Sequence, residues 1–202
     1  MNLYTSDLHF GHKNVIQFDH RPFSNVEEMD AFIMQCWNKR VQPDDIVYIL
    51  GHFCHRSEKE PSWYLKRLKG HKILIVGNHD GKLLKNQVAL SYFDRVEDMM
   101  EVEDGENHLC LCHYPIAEWN GYFRKSWHVY GHIHNKKEET YDIMKKKERA
   151  LNAGCMINNY SPASLIELVR NNTVFQESSM DYTSSTMTKH KTSFKMISMR
   201  LF

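Results

Sequence analysis

Short runs of apolar residues, each followed at once by polar groups, recur along the chain. Residues 72–76 are the clearest case, because four apolar side chains, three of them β-branched, end at Gly77. Such a run predicts a strand that is buried on both faces. Similar runs at residues 3–6 and 46–50 predict two further strands. In open α/β sheets ligands bind at the carboxyl ends of the strands, so the residues that follow these runs are the functional candidates.

Between these strands, apolar residues recur at helical spacing. Residues 26, 29, 33, 36 and 37 predict a helix that ends near residue 40, and Ser24-Asn25-Val26-Glu27 has the form of a capping box. A second helix is predicted over residues 58–69, closed by Gly70. Alternating strands and helices favour a parallel or mixed sheet with right-handed crossovers.

The second half of the chain predicts more strands and fewer helices. Alternating apolar positions on either side of Asp104-Gly105 predict a hairpin, and residues 127–130 predict another strand. The charged residues 135–149 predict a solvated excursion, and Ser161-Pro162 predicts the start of a short helix. We expect one domain over residues 1–172 and a polar tail over residues 173–202, weakly ordered or adding an edge strand.

Composition narrows the function classes. Lys and Arg total 26 against 25 for Asp and Glu, so no general basic field attracts nucleic acid, and any such contact would be local. The five cysteines include no Cys-x-x-Cys pair, which argues against a disulfide framework or a zinc knuckle. With no targeting or membrane-spanning segment in the sequence, we expect a cytoplasmic protein without membrane contact.

Five apolar runs end in side chains that can bind metals or move protons. These side chains are Asp7 and His9, then His52, then Asn78, His79 and Asp80, then His113, and last His132 and His134. A mixture of oxygen and imidazole ligands without thiolate favours Mn, Fe, Ni or Zn over Mg or Ca. The alternative, that these histidines are ordinary structural groups, requires five independent coincidences.

In this order the motifs resemble those of the calcineurin-like metallophosphoesterases, over about residues 1–170. The matching segments are Asp7-Leu8-His9, Gly51-His52, Gly77-Asn78-His79-Asp80, His113 and Gly131-His132-Ile133-His134. The resemblance implies an α/β fold, a four-layer α/β/β/α sandwich of two mixed sheets flanked by helices. It also implies two divalent transition-metal ions and a metal-bound hydroxide that hydrolyses a phosphodiester or phosphomonoester. The substrate would be a phosphorylated small molecule, a nucleotide or a nucleic-acid end.

The resemblance also assigns a role to each matching residue. One ion would be held by Asp7, His9 and His134, and the other by Asn78, His113 and His132. His79 would protonate the leaving oxygen, and Asp80 would orient the His79 ring. Four loop residues are further candidates for contacts to the substrate phosphate: His12, Arg56, Asn120 and Arg124.

One motif departs from the family pattern, because His52 stands where the family has a bridging aspartate. A carboxylate can touch two cations, whereas a neutral imidazole nitrogen has one in-plane lone pair and binds one metal. We therefore expect His52 to be a ligand of a site with weakened or single metal occupancy and impaired hydrolysis. The alternative function is a catalytically degenerate binding scaffold with the same fold.

Overall fold

Two four-stranded sheets pack against each other and are flanked by helices in the computed structural model, which describes residues 1–178. The eight strands are β1 (Asn2–Thr5), β2 (Ile46–Leu50), β3 (His71–Ile75), β4 (Arg95–Glu97), β5 (Met99–Asp104), β6 (Asn107–Cys112), β7 (Trp127–Tyr130) and β8 (Ala150–Asn152). The first sheet has the order β1-β2-β3-β4, and the second has the order β5-β6-β7-β8. The predicted α/β sandwich is confirmed.

The two sheets differ in strand direction. All neighbours in the first sheet are parallel, so this sheet is not mixed as the resemblance implied. In the second sheet β5 and β6 form the predicted antiparallel hairpin, and β6, β7 and β8 are parallel. The chain passes from one sheet to the other between Glu97 and Met99, because β4 pairs with β3 while β5 pairs with β6.

Six α-helices cover the sheets. They are α1 (Val15–Phe18), α2 (Val26–Arg40), α3 (Pro61–Leu65), α4 (Gln87–Leu90), α5 (Glu139–Met144) and α6 (Leu165–Glu177). Two 3₁₀ helices span Asp80–Lys85 and Tyr122–Arg124. Within residues 1–178, no helix combines the length and the apolar character that crossing a bilayer would require.

The alternation of side chains along the strands builds the layers. In β2, Val47 and Ile49 enter the core beneath the helices, whereas Tyr48 and Leu50 enter the core between the sheets. Leu109 and Leu111 of β6 meet the same central core from the second sheet. Because both faces of these strands are covered, their apolar runs are nearly continuous, as the sequence indicated.

Several helix boundaries differ from the predictions. The N-cap of α2 is Asn25, one residue after the predicted Ser24, and its side chain accepts from the Glu28 amide at 2.8 Å. Helix α3 covers only part of residues 58–69. The segment 135–149 is not wholly solvated, since α5 buries Tyr141 and Met144.

The last helix begins later than predicted and ends beyond the predicted domain boundary. Helix α6 starts after Ser164, which forms a capping box with Glu167, rather than after Ser161. It continues to Glu177, so residue 172 lies inside the helix. The rest of the predicted tail, residues 179–202, lies outside the described part of the chain.

Candidate metal centre

The candidate metal ligands follow the carboxyl ends of strands in both sheets. In the first sheet, Asp7 follows β1, His52 follows β2 and Asn78 follows β3. In the second sheet, His113 follows β6 and His132 follows β7. Since the strands are parallel within each of these two groups, their ends meet at one edge of the sandwich. The fold therefore brings together residues that are more than 100 positions apart.

The first donor set consists of Asp7, His9, His52 and His134, whose ligand atoms lie within 4.8 Å of one another. His9 Nε2 lies 3.1 Å from both His52 Nδ1 and His134 Nε2, and the latter two nitrogens are 3.3 Å apart. The Asp7 Oδ1 atom lies 2.8 Å from His52 Nδ1. Three ring nitrogens and one carboxylate oxygen thus face a common point.

The second donor set consists of His52, His113 and His132. The Asn78 Oδ1 atom joins it, 2.8 Å from His52 Nε2 and 3.1 Å from His113 Nε2. The two nitrogens of the single His52 ring therefore face different sets, Nδ1 towards Asp7 and Nε2 towards Asn78. His52 lies between the two sets and is shared by them.

The backbone at the donors is in the left-handed region. The residues concerned, with their φ values, are Asp7 (57°), His9 (53°), His52 (54°), His132 (71°) and His134 (52°). Residues other than glycine adopt this conformation seldom and at a cost of roughly 1–3 kcal/mol, and such residues cluster at functional sites. The local geometry that aims these side chains is held by the surrounding fold.

The His113 ring lies against the backbone of two glycines. A Cβ atom at Gly51 would come within 2.4 Å of the His113 Nδ1 atom, and one at Gly77 within 2.9 Å of the same ring. Nδ1 of His113 donates to the Leu50 carbonyl oxygen at 2.7 Å, so the bare Nε2 faces the second donor set. Gly51 and Gly77 are thus required by the close approach of one imidazole.

His134 is oriented by a carboxylate that the sequence analysis missed. The Nδ1 atom of His134 lies 2.7 Å from Oδ2 of Asp19, and a carboxylate can only accept, so Nδ1 carries the hydrogen. Arg21, fully buried, donates to Asp19 at 3.1 Å and to the Asp7 carbonyl oxygen at 2.7 Å. Asp19 and Arg21 follow no predicted strand, so strand-end position gave no signal for them.

Burial and mutual charge set the protonation of the donors. Burial lowers the pKa of His9 well below its ordinary value and that of His113 to about 4, which leaves both rings neutral at pH 7. Burial opposes the ionisation of Asp7, but the nearby imidazoles of His134 and His52 hold its pKa below the usual range. Burial also lowers the pKa of His52, but its hydrogen bond to Asp7 raises it above the ordinary value.

The donor geometry fits a transition-metal ion. Ligands about 2.0–2.1 Å from one ion at tetrahedral or octahedral angles lie about 2.8–3.4 Å apart, as the three ring nitrogens do. The Nδ1 atoms of His9 and His132 are buried and have no hydrogen-bond partner within residues 1–178. Neutral imidazoles with one carboxylate form a donor set for borderline ions. This buried His/Asp cluster could hold a metal ion.

Asp80 contacts the backbone and not the His79 ring, contrary to the prediction. Its Oδ2 atom accepts from the amides of Gly77 (2.8 Å) and His52 (3.0 Å), and its Oδ1 atom accepts from Phe53 (3.0 Å). The side chain is fully buried, and burial raises its pKa despite these hydrogen bonds. Three backbone amides thus donate to the two carboxylate oxygens of Asp80, and these hydrogen bonds connect the loop after β2 with the loop after β3.

A cavity of about 480 Å³ opens beside the first donor set. His79 lines it and packs on the His52 and His55 rings, with centroids 4.6 and 4.3 Å away. Burial, followed by the charge of His52, lowers the pKa of His79 to about 4. Of the predicted phosphate contacts, His12 and Arg56 line this cavity.

The other two predicted phosphate contacts lie elsewhere. Asn120 and Arg124 are exposed in the loop between β6 and β7, and neither lines the cavity. Asn120 donates to the Glu101 carboxylate at 2.7 Å. The prediction for both residues rested on loop composition alone, which does not specify the direction in which a loop faces.

Comparison with known proteins identifies the family of the chain. It is 32% identical over 167 residues to the uncharacterized protein MJ1445 of Methanocaldococcus jannaschii. The matched region covers 82% of this chain and 87% of that protein. It is 42% identical over 90 residues to the Gene 66 protein of Mycobacterium phage L5, or 43% of this chain and 42% of that one. The chain belongs to the same family as MJ1445. No family model matches it.

The fold recurs in a solved structure. The protein of unknown function AQ665 from Aquifex aeolicus superposes with a TM-score of 0.65 at 27% identity, over 84% of this chain and 98% of that one. Pseudomonas putida nuclease MPE and the E. coli phosphoesterase YfcE give TM-scores of 0.44 and 0.40, at 20% and 14% identity. Those scores are too low for an inference about this chain.

Proposed function

We propose that the protein is a metal-dependent phosphoesterase of the calcineurin-like type, which hydrolyses a phosphodiester or phosphomonoester. The observation that carries this proposal is the convergence of two donor sets at the carboxyl edge of both sheets. An open cavity adjoins them, so a substrate could reach the donors. The ordered motifs of the sequence add support, because each contributes a side chain to this edge.

In this proposal Asp7, His9 and His134 hold one ion, and the Nδ1 atom of His52 completes the set. Asn78, His113 and His132 form the second position, which His52 approaches through its Nε2 atom. A ring bound through opposite nitrogens would separate two ions by more than the roughly 3.5–4 Å that is usual in two-metal sites. We therefore propose one firmly bound Mn, Fe, Ni or Zn ion.

The remaining residues act on the substrate. A bound ion supplies Lewis-acid stabilisation of the phosphoryl oxygens and a nucleophile at neutral pH. Arg56 and His12 hold the phosphate group beside the donors. His79, at the cavity wall, would donate the proton that the leaving oxygen needs once a bound phosphate lies beside it, because that negative charge raises a pKa that is about 4 in the free protein. Asp80 holds the backbone of His52 and Gly77 in place.

The proposal is tested with bis(p-nitrophenyl) phosphate and with Mn, Ni or Zn added to metal-free protein. Metal content is measured alongside activity, for the wild type, Asp7→Asn and His52→Asp. We expect about one ion per wild-type chain, loss of this ion and of activity in Asp7→Asn, and two ions with higher activity in His52→Asp. The control is His108→Gln, a partly exposed histidine that pairs with Glu101 and Glu103. If wild type and His52→Asp are both inert while folded and metal-loaded, hydrolysis is the wrong function.

One observation favours the alternative function, a binding scaffold that has lost its chemistry. His52 lies within hydrogen-bond distance of both Asp7 and Asn78, so it can occupy the centre without an ion. A scaffold would be folded and inert as wild type, and only His52→Asp would hydrolyse the aryl diester. The same series of measurements therefore separates the two functions.

A further inference from the structure

The cavity beside the first donor set has two chemically different walls. Side chains that can bind anions come from the loops after β1 and β2: His12, His55 and Arg56. An apolar wall comes from α1, through Val15 and Phe18. A pocket of about 480 Å³ lies in the size range of small-ligand sites, roughly 300–1,000 Å³, and can hold more than a phosphate group.

The wall that carries Arg56 contains a buried polar atom without a partner among residues 1–178. His12 is 8% exposed, and its Nδ1 atom accepts and donates no hydrogen bond there. Its ring meets the His55 ring edge-on at 4.8 Å between centroids. Buried polar atoms are nearly always paired in native proteins, so an unpaired one on a residue that lines a cavity points to a ligand. A phosphate oxygen would accept a hydrogen bond from this ring or from Arg56.

The apolar wall exposes an aromatic ring. Phe18 is 63% exposed at the cavity rim, and its centroid is 6.4 Å from that of His12. Trp119 and Tyr122, in the segment between β6 and β7, do not line the cavity; Trp119 is buried against His128 and meets Tyr122 edge-on. An exposed phenylalanine provides a face on which a base can stack, and such stacking tolerates any base.

Acidic groups do not dominate the cavity. Asp19 lines it, but its carboxylate is held by Arg21 and His134. Glu138 lies on the same side as Lys136, and both are exposed. The cavity can therefore accept the negative charge of one or two phosphates, although the whole chain carries a net charge of only +1.

We propose that this cavity binds the nucleotide next to the scissile phosphate, so that the substrate class is a single-stranded nucleic acid. His12 and Arg56 contact the scissile phosphate, as in the proposed function, and the base of the adjoining nucleotide stacks on Phe18. A duplex is disfavoured, because both faces of a base inside a duplex are stacked on its neighbours and neither is free to contact Phe18. This inference rests on the proposed phosphoesterase function, which supplies the scissile bond.

The test measures binding of a fluorescein-labelled five-nucleotide thymidine strand to the full-length protein by anisotropy, with Mn²⁺ and again with chelator. We expect at least fivefold weaker binding in Phe18→Ala, since stacking of a base is worth a substantial factor in affinity. Arg56→Met should weaken binding and reduce the slope of log K against log salt by about 0.7, the value for one single-strand phosphate contact. A DNA hairpin with a twelve-base-pair stem, which stays paired under these conditions, should bind at least tenfold more weakly than the strand.

The matched control is Phe123→Ala, which removes an 84% exposed phenylalanine outside the cavity and should leave binding unchanged. Thermal unfolding verifies that each variant is folded. The proposal is overturned if Phe18→Ala binds like wild type, or if the strand binds no more tightly than inorganic phosphate. Hydrolysis of the aryl diester is scored separately, so failure of the nucleotide subsite is distinguishable from failure of the phosphoesterase function.

Discussion

The Asp19 carboxylate accepts a hydrogen bond from His134 Nδ1 at 2.7 Å and thereby directs the Nε2 atom of His134 towards His9 and His52. The two residues are 115 positions apart, so only the folded chain creates this pair. Carboxylate partners of this kind fix the tautomer of a ligand histidine and raise its basicity.

The Asn substitution at Asp19 should weaken metal binding by about 10–100-fold, the usual effect of losing such a partner. Isothermal titration calorimetry of metal-free protein with Mn²⁺ or Zn²⁺ measures this change in metal affinity. The control is Asp94→Asn, because Asp94 makes the same contact to His71 at 2.9 Å on the surface. Equal metal affinity in both variants would contradict the role of Asp19.

Removal of the Arg21 guanidinium should lower the free energy of unfolding. Arg21→Met leaves Asp19 buried without its cation, and breaking a buried pair destabilises a protein by about 3–5 kcal/mol. Urea unfolding gives the difference in free energy. Arg40→Met is the control, because the part-exposed Arg40–Glu167 pair should contribute no more than about 1 kcal/mol. Similar losses in the two variants would show that burial of the Arg21 pair is unimportant.

Asp80→Asn should loosen the loops after β2 and β3. The amide group of asparagine cannot accept at both ends, so at least one of the three backbone amides loses its partner, at about 1–3 kcal/mol. Hydrogen exchange at His52, Phe53 and Gly77 should then be at least tenfold faster. The exposed Asp44→Asn is the control. Unchanged exchange, with a changed His79 ring signal, would instead support the orienting role predicted from the sequence.

Acid should destabilise the fold through His128. This fully buried ring donates from Nδ1 to the Cys110 carbonyl oxygen at 3.0 Å and accepts at Nε2 from the Ile116 amide at 3.0 Å, so it is neutral. Burial lowers its pKa below the ordinary value of about 6.5. Below about pH 6.5 His128 becomes protonated in the unfolded chain but stays neutral in the folded protein. The free energy of unfolding therefore falls as pH falls.

The contribution of His128 is isolated by comparing variants. The melting temperature of metal-free protein is measured between pH 5 and 7.5, and His128→Gln should show a shallower decline on acidification than wild type. His108→Gln is the control, since hydrogen bonding to Glu103 raises the pKa of His108 and its effect has the opposite sign. An unaltered slope in His128→Gln would contradict this explanation.

The layered fold was predictable because its signals are local. The runs at residues 46–50 and 127–130 coincide with β2 and β7, and the helical spacing from Val26 predicted α2 and its end near Arg40. The start of α6 was missed because two serines precede helix formers, and only the reciprocal contact of Ser164 with Glu167 selects between them. When two sites in a sequence are equally good helix starts, tertiary packing determines which one is used.

The site was predictable to the extent that it depends on strand ends. Asp7, His52 and Asn78 converge because β1, β2 and β3 are neighbours in the first sheet, and His113 joins them from β6 of the second sheet. The roles of Asp19 and Arg21 depend on contacts between distant parts of the chain, and residue spacing in the sequence does not predict such contacts. Asp80 shows the converse, because its adjacency to His79 suggested a partner that the buried backbone amides displace.

The left-handed backbone at Asp7, His9, His52, His132 and His134 sets a limit on engineering this protein. Replacement by glycine at any of these positions would relieve roughly 1–3 kcal/mol of conformational strain, but it would also delete a side chain that packs at the centre, and three of the five are almost completely buried. The strained backbone and the ion-binding side chains therefore depend on each other, and a change that relaxes the first removes the second.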